Sequence, residues 1–433
     1  MNSDGGNSMS ETAKRYIDEY FGQTDITELV RTYGSPLYVY QEALLRRRCR
    51  EMQQLVQGVP FAAHYSVKAN TNLELLRIAR DEGLHADAMS PGEILALEAA
   101  GYAADAIFFI PNNISRDELR FAADRGILIS VDSLDQLDLL GSVQPGGRVS
   151  LRLNLGIGAG HHEKVITAGD DTKFGITEAQ LDQAQAIARQ YQLTITGLNQ
   201  HIGSLFMEPA PYLAAAERLL SAARRFPDLE MIDFGGGFGI PYHKMAGEAR
   251  LDLAALGSRL SEMAKRFAST WPRPLMFMTE PGRYIAAEAG LLIGTVHAVK
   301  QNGPRIYVGT DIGFNVLARP MLYDAWHDLL VIRRGRLLPQ TGLETVTVTG
   351  NICESGDQIA ADRPLPALRC DDLVVVLDAG AYGYSMSSNY NQRLRPAEVL
   401  LPESGRPRLI RRRDTYDDLL RGMLFPVESD PAD

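Results

Sequence analysis

From about Pro36 onward, short runs of apolar or β-branched residues alternate with longer segments in which apolar residues recur at helical spacing. This alternation is typical of repeated strand–helix units. Eight of the short runs are predicted strands, at residues 61–67, 84–89, 106–110, 128–131, 149–154, 194–201, 231–234 and 275–279. The predicted helices between them include residues 73–82, 93–100, 116–125, 178–191, 212–225 and 253–267.

Eight such strands within about 220 residues predict a (β/α)8 barrel of the TIM type, with an open, doubly wound sheet as the alternative. After about Ala286 the pattern changes to β-rich runs without long helices between them. This change predicts a second, mostly antiparallel, β-barrel-like domain. Its predicted strands are residues 292–299, 305–309, 345–350, 373–378 and 399–401.

We therefore expect a barrel domain at residues 35–285 and a β-rich domain that combines residues 1–34 with residues 286–433. A helix is predicted at residues 10–21, but the pattern does not indicate where it packs.

The composition is typical of a folded protein and argues against nucleic-acid-binding and membrane-spanning proteins. The 433 residues are 45% hydrophobic, as in an ordinary folded protein, and the net charge of -10 argues against a nucleic-acid partner. No run approaches the roughly 20 apolar residues of a membrane span, and the N-terminus does not resemble a secretion signal. Cys49, Cys353 and Cys370 are odd in number and lack metal-ligand spacing. We expect a cytoplasmic protein with no membrane partner.

A barrel carries its chemistry where the strands end, and the first predicted strand ends beside Lys68. Burial at the mouth of an apolar strand can lower the pKa of an amine and make it nucleophilic. An ordinary surface lysine is the alternative for this residue.

The later strand ends supply polar groups. The amides of Gly235, Gly236 and Gly237 follow the seventh strand, where such barrels usually bind phosphate, although turns alone explain many glycine runs. Glu280 and Arg283 follow the eighth strand. They could form a surface ion pair, or the Glu280 carboxylate could face the nitrogen of a pyridine ring and keep it protonated. His201 and Ser204 lie at the end of the sixth strand. The imidazole of His201 could stack on a flat ring, and the hydroxyl of Ser204 could bind phosphate.

Loops of the β-rich half add further candidates. Cys353 is a possible proton donor beside Glu354, although a structural thiol is the commoner role of an isolated cysteine. A second loop leads from Asp378 to Tyr382. The run at residues 161–163, His-His-Glu, does not have helical ligand spacing, so we expect no bound metal.

Together these motifs resemble the ornithine/diaminopimelate/arginine decarboxylase family of pyridoxal 5'-phosphate (PLP) enzymes with the alanine-racemase-like fold, and look most like its diaminopimelate decarboxylase branch. The resemblance covers about residues 34–420. The segments that carry it are residues 65–70, 90–93, 173–175, 201–204, 235–237, 280–283, 319–323, 353–355 and 388–398. The last of these favours the diaminopimelate branch.

The resemblance implies a role for each matching residue. Lys68 would hold PLP as a Schiff base, His201 would stack on its ring, and Glu280 would pair with the pyridinium nitrogen. The remaining residues expected to bind the cofactor, mainly its phosphate, are Ser204, Gly235, Gly236, Gly237, Gly282, Arg283 and Tyr382. Those expected to bind the substrate are Arg283, Arg319, Tyr323, Glu354 and Tyr382. Cys353 would protonate the carbon that loses carbon dioxide.

The resemblance also implies a head-to-tail homodimer, in which Cys353 and Glu354 complete the neighbour's active site and the β-rich domain contributes to the interface. A monomer would then be inactive. Residues 86–91 and 158–169 look like variants within the family. They leave every implied catalytic role in place.

The implied reaction converts meso-diaminopimelate to L-lysine and carbon dioxide. The Arg319 and Tyr323 pair, with the loop at residues 385–395, suits a distal carboxylate. A paralogue that decarboxylates ornithine, lysine, arginine or a carrier-bound glutamyl group is the alternative. A racemase would need a second base opposite Lys68, where the sequence offers a Cys-Glu loop. A non-catalytic PLP-binding regulator would resemble a lone barrel without the β domain.

Overall fold

A computed structural model describes residues 3–158 and 172–424 of the chain. Eight parallel strands form a closed barrel, because the eighth strand pairs with the first and the fourth pairs with the fifth. In chain order the barrel strands are Phe61–Ser66, His85–Ala88, Ile107–Phe109, Leu128–Val131, Arg148–Asn154, Thr194–Asn199, Met231–Gly236 and Met276–Glu280. The predicted barrel is confirmed, and the open-sheet alternative is wrong. All eight predicted strands are present, with ends that differ by at most two residues.

A helix follows each barrel strand. These helices are Leu73–Asp81, Pro91–Ala100, Arg116–Ala123, Leu134–Val143, Leu181–Gln190, Pro209–Ala223, Leu253–Ala268 and the single turn Arg283–Ala286. Local sequence explains several starts: Ser90, Ser115 and Ser133 each accept a hydrogen bond from a backbone N–H of the first turn. Ser115 and Glu118 complete a reciprocal capping box.

The second half of the molecule is a ten-stranded, mostly antiparallel sheet. Its strands are Leu37–Gln41, Gly290–Asn302, Arg305–Thr310, Leu329–Arg333, Arg336–Leu337, Leu343–Thr349, Gln358–Pro366, Leu373–Val376, Ala397–Leu401 and Arg408–Arg411. The predicted antiparallel β domain is therefore confirmed as a sheet separate from the barrel. A two-residue strand, Ile176–Thr177, pairs with the fifth barrel strand.

Five strands of this sheet were not predicted: Leu37–Gln41, Leu329–Arg333, Arg336–Leu337, Gln358–Pro366 and Arg408–Arg411. Leu37–Gln41 lies between Gly290–Asn302, to which it is antiparallel, and Ala397–Leu401, to which it is parallel. Four of its five residues are buried. The N-terminal part of the chain thus forms an interior strand of a sheet built otherwise from the C-terminal half. The domain limits at about residues 35 and 285 stay a prediction.

The remaining helices are Ser3–Phe21, Ile26–Tyr33, Glu42–Gln53, Arg319–Tyr323 and Tyr416–Leu420. The first contains the helix predicted at residues 10–21. It contacts both halves of the molecule. The centre of the Tyr16 ring lies 5.5 Å from Nζ of Lys244, in the connection after the seventh barrel strand, and the Tyr20 hydroxyl lies within hydrogen-bond distance of the backbone carbonyls of Val39 and Ala289 at the β-rich half. Within the described residues, no helix has the length and apolar character needed to cross a membrane.

The β-rich half meets the barrel where the strands end. The backbone N–H of Tyr382 donates to the carbonyl of Ala69 at 2.8 Å, and Asn70 Nδ2 donates to the carbonyl of Gly380 at 3.0 Å. The turn that follows the first barrel strand is therefore held by the loop that carries Tyr382. This edge of the barrel is where the candidate site lies.

Candidate active site

Lys68 lies in the one-turn 3-10 segment Val67–Ala69, directly after the first barrel strand. Burial lowers the pKa of its amine, but Asp87, Tyr382 and Glu280 act in the opposite direction, and the net pKa is raised. The lowered pKa expected from burial alone is therefore wrong. The amine is instead held as a cation among acidic groups.

Asp87, in the second barrel strand, is a member of this group that the sequence reasoning missed. It is almost fully buried and accepts a hydrogen bond from the Ser66 hydroxyl. Burial and the nearby Glu280 raise the pKa of Asp87 well above its usual value, and Lys68 opposes that rise. A lone Asp within an otherwise apolar strand was the available signal, because a buried carboxyl requires a partner.

Glu280 ends the eighth barrel strand and is 4% exposed. Burial and the neighbouring Asp233 carboxyl raise the pKa of Glu280 well above its usual value. Burial likewise raises the pKa of Asp233 to about 7. Among the described residues, no N–H or hydroxyl donor reaches Glu280 Oε1 or Asp233 Oδ2, and the two carboxyl groups interact with each other. A buried carboxylate that lacks a donor is suited to a protonated ligand nitrogen.

His201 follows the sixth barrel strand and faces the same carboxylate. Its Nδ1 lies 3.8 Å from Glu280 Oε2, a distance compatible with an ion pair if the ring is protonated. However, Nδ1 accepts a hydrogen bond from the Gly236 N–H at 3.3 Å, which a protonated nitrogen could not do. Burial, Lys68 and Arg152 also lower the pKa of His201 well below its usual value. The ring is therefore neutral, as stacking on a flat cofactor ring allows.

The glycine run after the seventh strand permits close approach of the surrounding backbone. Gly235 and Gly237 have φ values of +82° and +103°, which favour glycine. A Cβ atom on Gly236 would lie 2.1 Å from the carbonyl oxygen of Glu280. The run thus brings this loop against the end of the eighth strand and keeps the Gly236 amide beside His201.

Arg283 connects the residues predicted to bind phosphate. Its Nη2 donates to Ser204 Oγ at 2.8 Å, and its Nη1 donates to the hydroxyl of Tyr242 at 2.8 Å. The guanidinium carbon also lies 5.0 Å from the centre of the Tyr382 ring. Gly282 packs beside this group: a Cβ there would lie 2.9 Å from the Ser66 Cβ and 3.3 Å from the Tyr382 hydroxyl. Ser204, Gly282, Arg283 and Tyr382 are therefore neighbours.

Arg319 and Arg283 both contact Tyr242. The guanidinium carbon of Arg319 is 4.7 Å from the centre of the Tyr242 ring, and that of Arg283 is 5.8 Å from it. Arg319 is 2% exposed. In residues 3–158 and 172–424, neither guanidinium forms a salt bridge with a carboxylate. Burial and Arg283 lower the pKa of Arg319, and Tyr242 opposes that effect. Two buried cations that share one aromatic ring are suited to an anionic ligand.

Tyr323 shares the short helix Arg319–Tyr323 and acts on one of these two cations, since it is among the groups that raise the pKa of Arg283.

Comparison with known proteins agrees with this geometry. The family described as "Pyridoxal-dependent decarboxylase, pyridoxal binding domain" matches residues 42–287. A diaminopimelate decarboxylase of Methanothermobacter thermautotrophicus is 42% identical over 94% of this chain and 95% of its own length. The chain belongs to the diaminopimelate decarboxylase family of pyridoxal-dependent decarboxylases.

Other relatives of this decarboxylase are similar over nearly their whole length. A diaminopimelate decarboxylase of Escherichia coli K12 is 35% identical over 92% of this chain and 97% of its own. A crystal structure of diaminopimelate decarboxylase from Helicobacter pylori complexed with L-lysine has a TM-score of 0.83 at 29% identity, covering 91% of this chain and 98% of its own.

In this decarboxylase, Cys353 and Glu354 form a separate exposed group. The Cys353 N–H donates to Asn391 Oδ1 at 3.0 Å, and the Tyr390 hydroxyl donates to Glu354 Oε1 at 2.5 Å. Among the described residues, no hydrogen bond or salt bridge joins either side chain to Lys68. This pair contacts the segment around Tyr390 and Asn391, whereas the other predicted site residues contact one another.

The part of the decarboxylase that the structure describes has no cluster of three His, Cys, Asp or Glu residues arranged to hold a metal ion. The sequence run at residues 161–163 lies outside the described residues, as do residues 159–169 of the stretch interpreted as a family variant.

Proposed function

We propose that this decarboxylase uses PLP to remove carbon dioxide from meso-diaminopimelate and release L-lysine. The observation that carries the proposal is the pair of buried guanidiniums, Arg283 and Arg319, beside the buried Glu280 carboxylate and Lys68. With Arg283 facing the cofactor phosphate, a second carboxylate on the substrate would supply the negative charge that Arg319 requires. An amino acid without one would leave a buried cation unpaired, which costs binding free energy.

The relatives support the same substrate. Several proteins at 35–42% identity over more than nine-tenths of the chain have the name diaminopimelate decarboxylase. One solved neighbour of that name is complexed with L-lysine. Their shared identity extends through the β-rich half, where Arg319 and Tyr323 lie.

The residues present fit PLP. Lys68 would bind the aldehyde, the donor-free Glu280 Oε1 would pair with the pyridine nitrogen, and the neutral His201 ring would stack on the cofactor. We assign the phosphate to the group composed of Ser204, Gly235, Gly236, Gly237, Gly282, Arg283 and Tyr382. When bound, PLP supplies an electron sink for the electron pair released as the C–C bond breaks.

The chain's own groups then have separate tasks. A carboxylate at Glu280 keeps a proton on the nitrogen it faces, because separating that ion pair in a buried site is unfavourable. Arg319, with Tyr323 and Tyr382, orients the substrate by the carboxylate that is not lost. The Lys68 amine, a cation among Asp87 and Glu280, can donate a proton at the reacting end and then take it back.

We propose that the remaining groups come from a second copy of the chain. Cys353 is exposed and lies beside Glu354, which accepts a hydrogen bond from Tyr390, whereas the Lys68 amine is buried. A proton donor must lie within hydrogen-bond reach of the carbon it protonates. A head-to-tail homodimer would place the Cys353 thiol and the Glu354 carboxylate over the neighbour's site, with Glu354 near the distal amino group of the substrate.

A cytoplasmic location belongs to the same proposal. Cys49, Cys353 and Cys370 are all free thiols, which is typical of a reducing compartment. We propose no nucleic-acid or membrane partner.

The proposal is tested by measuring carbon dioxide release from meso-diaminopimelate, lysine, ornithine, arginine and glutamate by the PLP-loaded protein. We expect release from meso-diaminopimelate. Replacing Arg319 by Met should raise the KM for meso-diaminopimelate about 10- to 100-fold, because the hydrogen bond between the guanidinium and the substrate carboxylate is lost. Replacing Arg336, which is exposed on a hairpin of the β sheet, is the matched control. Preference for another amino acid would contradict the proposed substrate but leave the chemistry in place.

A further inference from the structure

We propose that His327 is a positioning residue that fixes the Arg319 guanidinium for the substrate carboxylate, and is therefore a determinant of selectivity for substrates that carry a second carboxylate. The inference rests on the proposed function, because it concerns how the same site recognises its substrate. His327 is completely buried and lies just after the short helix Arg319–Tyr323. Neither the composition nor the motifs of the sequence distinguish this residue.

The hydrogen bonds of the ring determine its tautomer. His327 Nδ1 lies 2.7 Å from the carbonyl oxygen of Leu377, and a carbonyl oxygen can only accept, so Nδ1 bears the proton. Nε2 lies 2.8 Å from Arg319 Nη1, and a guanidinium nitrogen can only donate, so Nε2 is the acceptor. The imidazole is therefore neutral, with one nitrogen anchored to the backbone and the other bonded to Arg319.

The surroundings hold the ring in this position. The backbone carbonyl of His327 accepts a hydrogen bond from Arg363 Nη2 at 2.7 Å, and the N–H of Leu377 donates to the carbonyl of Asp328 at 3.0 Å. The ring also packs edge-to-face against Tyr242, with 5.4 Å between the ring centres. Tyr242 also contacts Arg319, so the Arg319 guanidinium is held by both the imidazole and the phenol ring.

A neutral acceptor is the group that this site requires. Burial, together with Arg319, Arg283 and Arg363, lowers the pKa of His327, which agrees with the uncharged tautomer given by the hydrogen bonds. A carboxylate in the same place would also orient Arg319, but it would neutralise the cation that is to bind the substrate carboxylate. The imidazole occupies one N–H of the guanidinium and leaves its positive charge uncompensated.

The test compares three substitutions of His327 in the PLP-loaded enzyme. The Gln and Glu side chains of His327→Gln and His327→Glu match each other in size and reach. Gln supplies a neutral hydrogen-bond acceptor to Arg319, and Glu supplies a charged one. His327→Asn is too short to reach Arg319. The measurements are KM and kcat for meso-diaminopimelate and the Kd of L-lysine, which retains the carboxylate at issue and reports binding without turnover.

We expect His327→Glu and His327→Asn to raise KM and the Kd of L-lysine about 10- to 100-fold while kcat changes less than about threefold. His327→Gln should remain within about threefold of the wild type. His297→Asn, which removes a largely exposed imidazole, is the control. Normal L-lysine affinity in His327→Glu or His327→Asn would overturn the inference. Equal losses in all three variants would also overturn it, since they would indicate a purely structural role.

Failure of the proposed function gives a different result. A wild-type enzyme that releases no carbon dioxide from meso-diaminopimelate contradicts that function, whereas unchanged variants of an active wild type contradict only the role of His327. If the Glu and Asn variants do not fold, the nitrogen chemical shifts of the wild-type ring decide the question. An Nδ1-protonated neutral ring supports the inference, and a cationic or Nε2-protonated ring overturns it.

Discussion

At the scale of single residues, burial and neighbouring charges have opposite effects on the pKa of Lys68. Burial alone would make the amine a free base, but the carboxyls of Asp87 and Glu280 keep it protonated. The side chain therefore depends on its acidic neighbours as much as on its position at the mouth of a strand. The sequence marks Asp87 as a carboxyl in a buried strand, but not its pairing with Lys68, because the two residues belong to different strands.

Replacing Lys68 by Ala should abolish the visible absorption band of the lysine-bound cofactor and lower kcat/KM by more than about 10³-fold, because the covalent attachment and its amine are both lost. Absorption spectra and carbon dioxide release measure the two effects. Lys300→Ala is the control, since Lys300 is exposed on the β sheet. A variant that decarboxylates at the normal rate would refute the role assigned to Lys68.

At the scale of elements, the glycine run at the end of the seventh strand packs directly against the end of the eighth strand. The Gly236 position faces the backbone carbonyl of Glu280, where a Cβ would lie 2.1 Å away. The Glu280 carbonyl oxygen belongs to the backbone, so it cannot rotate out of the way as the end of a flexible side chain could. The loop must therefore move when any side chain is added at this position.

We expect Gly236→Ala to weaken PLP binding by at least about tenfold, since the displaced loop removes its amide from His201 and shifts Glu280. Titration of the apoprotein with PLP measures the affinity. Gly422→Ala is the control because a Cβ at Gly422 meets no atom within 4 Å. Unchanged PLP affinity in Gly236→Ala would show that the loop does not need this close approach.

Elements with a strong local pattern could be predicted from the sequence, and others could not. The barrel strands are short apolar runs between helices of clear period, and all eight were found. Leu37–Gln41 was missed because its partners, Gly290–Asn302 and Ala397–Leu401, lie some 250 and 360 residues away. Lys68, Glu280 and Arg283 were found as polar groups after strands. His327 was missed because its significance depends on a contact with Arg319 that no local pattern encodes.

At the scale of the whole molecule, a buried cluster of charges joins its parts. Glu288 is 3% exposed and forms salt bridges with Arg48, Lys244 and Arg250, and Lys244 also pairs with Asp378. Burial opposes ionisation of Glu288, but the three cations outweigh it and lower its pKa. The cluster links the barrel to the loop that leads to Tyr382.

Replacing Glu288 by Gln should destabilise the protein by about 3–5 kcal/mol at pH 7, because buried cations lose their partner. The stabilisation from Glu288 is fully present above the unfolded-state pKa of about 4.5 and is lost as the pH falls below it. The difference between variant and wild type should therefore shrink in acid, as measured by equilibrium denaturation. Glu217→Gln, at an exposed ion pair, should change stability by less than about 1 kcal/mol. A difference independent of pH would contradict this account.

The proposed homodimer makes a complementation prediction. Lys68→Ala and Cys353→Ala should each be nearly inactive alone, whereas an equal mixture that exchanges subunits should regain about a quarter of the wild-type activity. Half of the dimers then contain both variants, and each of those has one intact site. Size-exclusion chromatography of the mixture and carbon dioxide release provide the measurement. No recovery after demonstrated exchange would place both residues in the same subunit's site.

The interior position of Leu37–Gln41 has a consequence for biosynthesis. Ala397–Leu401, which pairs along one edge of that strand, is translated about 360 residues later, or about 20–70 s at ordinary rates of 5–20 residues per second. During this interval the nascent chain carries an apolar strand whose partners have not left the ribosome, while the barrel segments between them are already available to fold. The order of translation thus makes the β-rich half the last part of each newly made subunit to be completed.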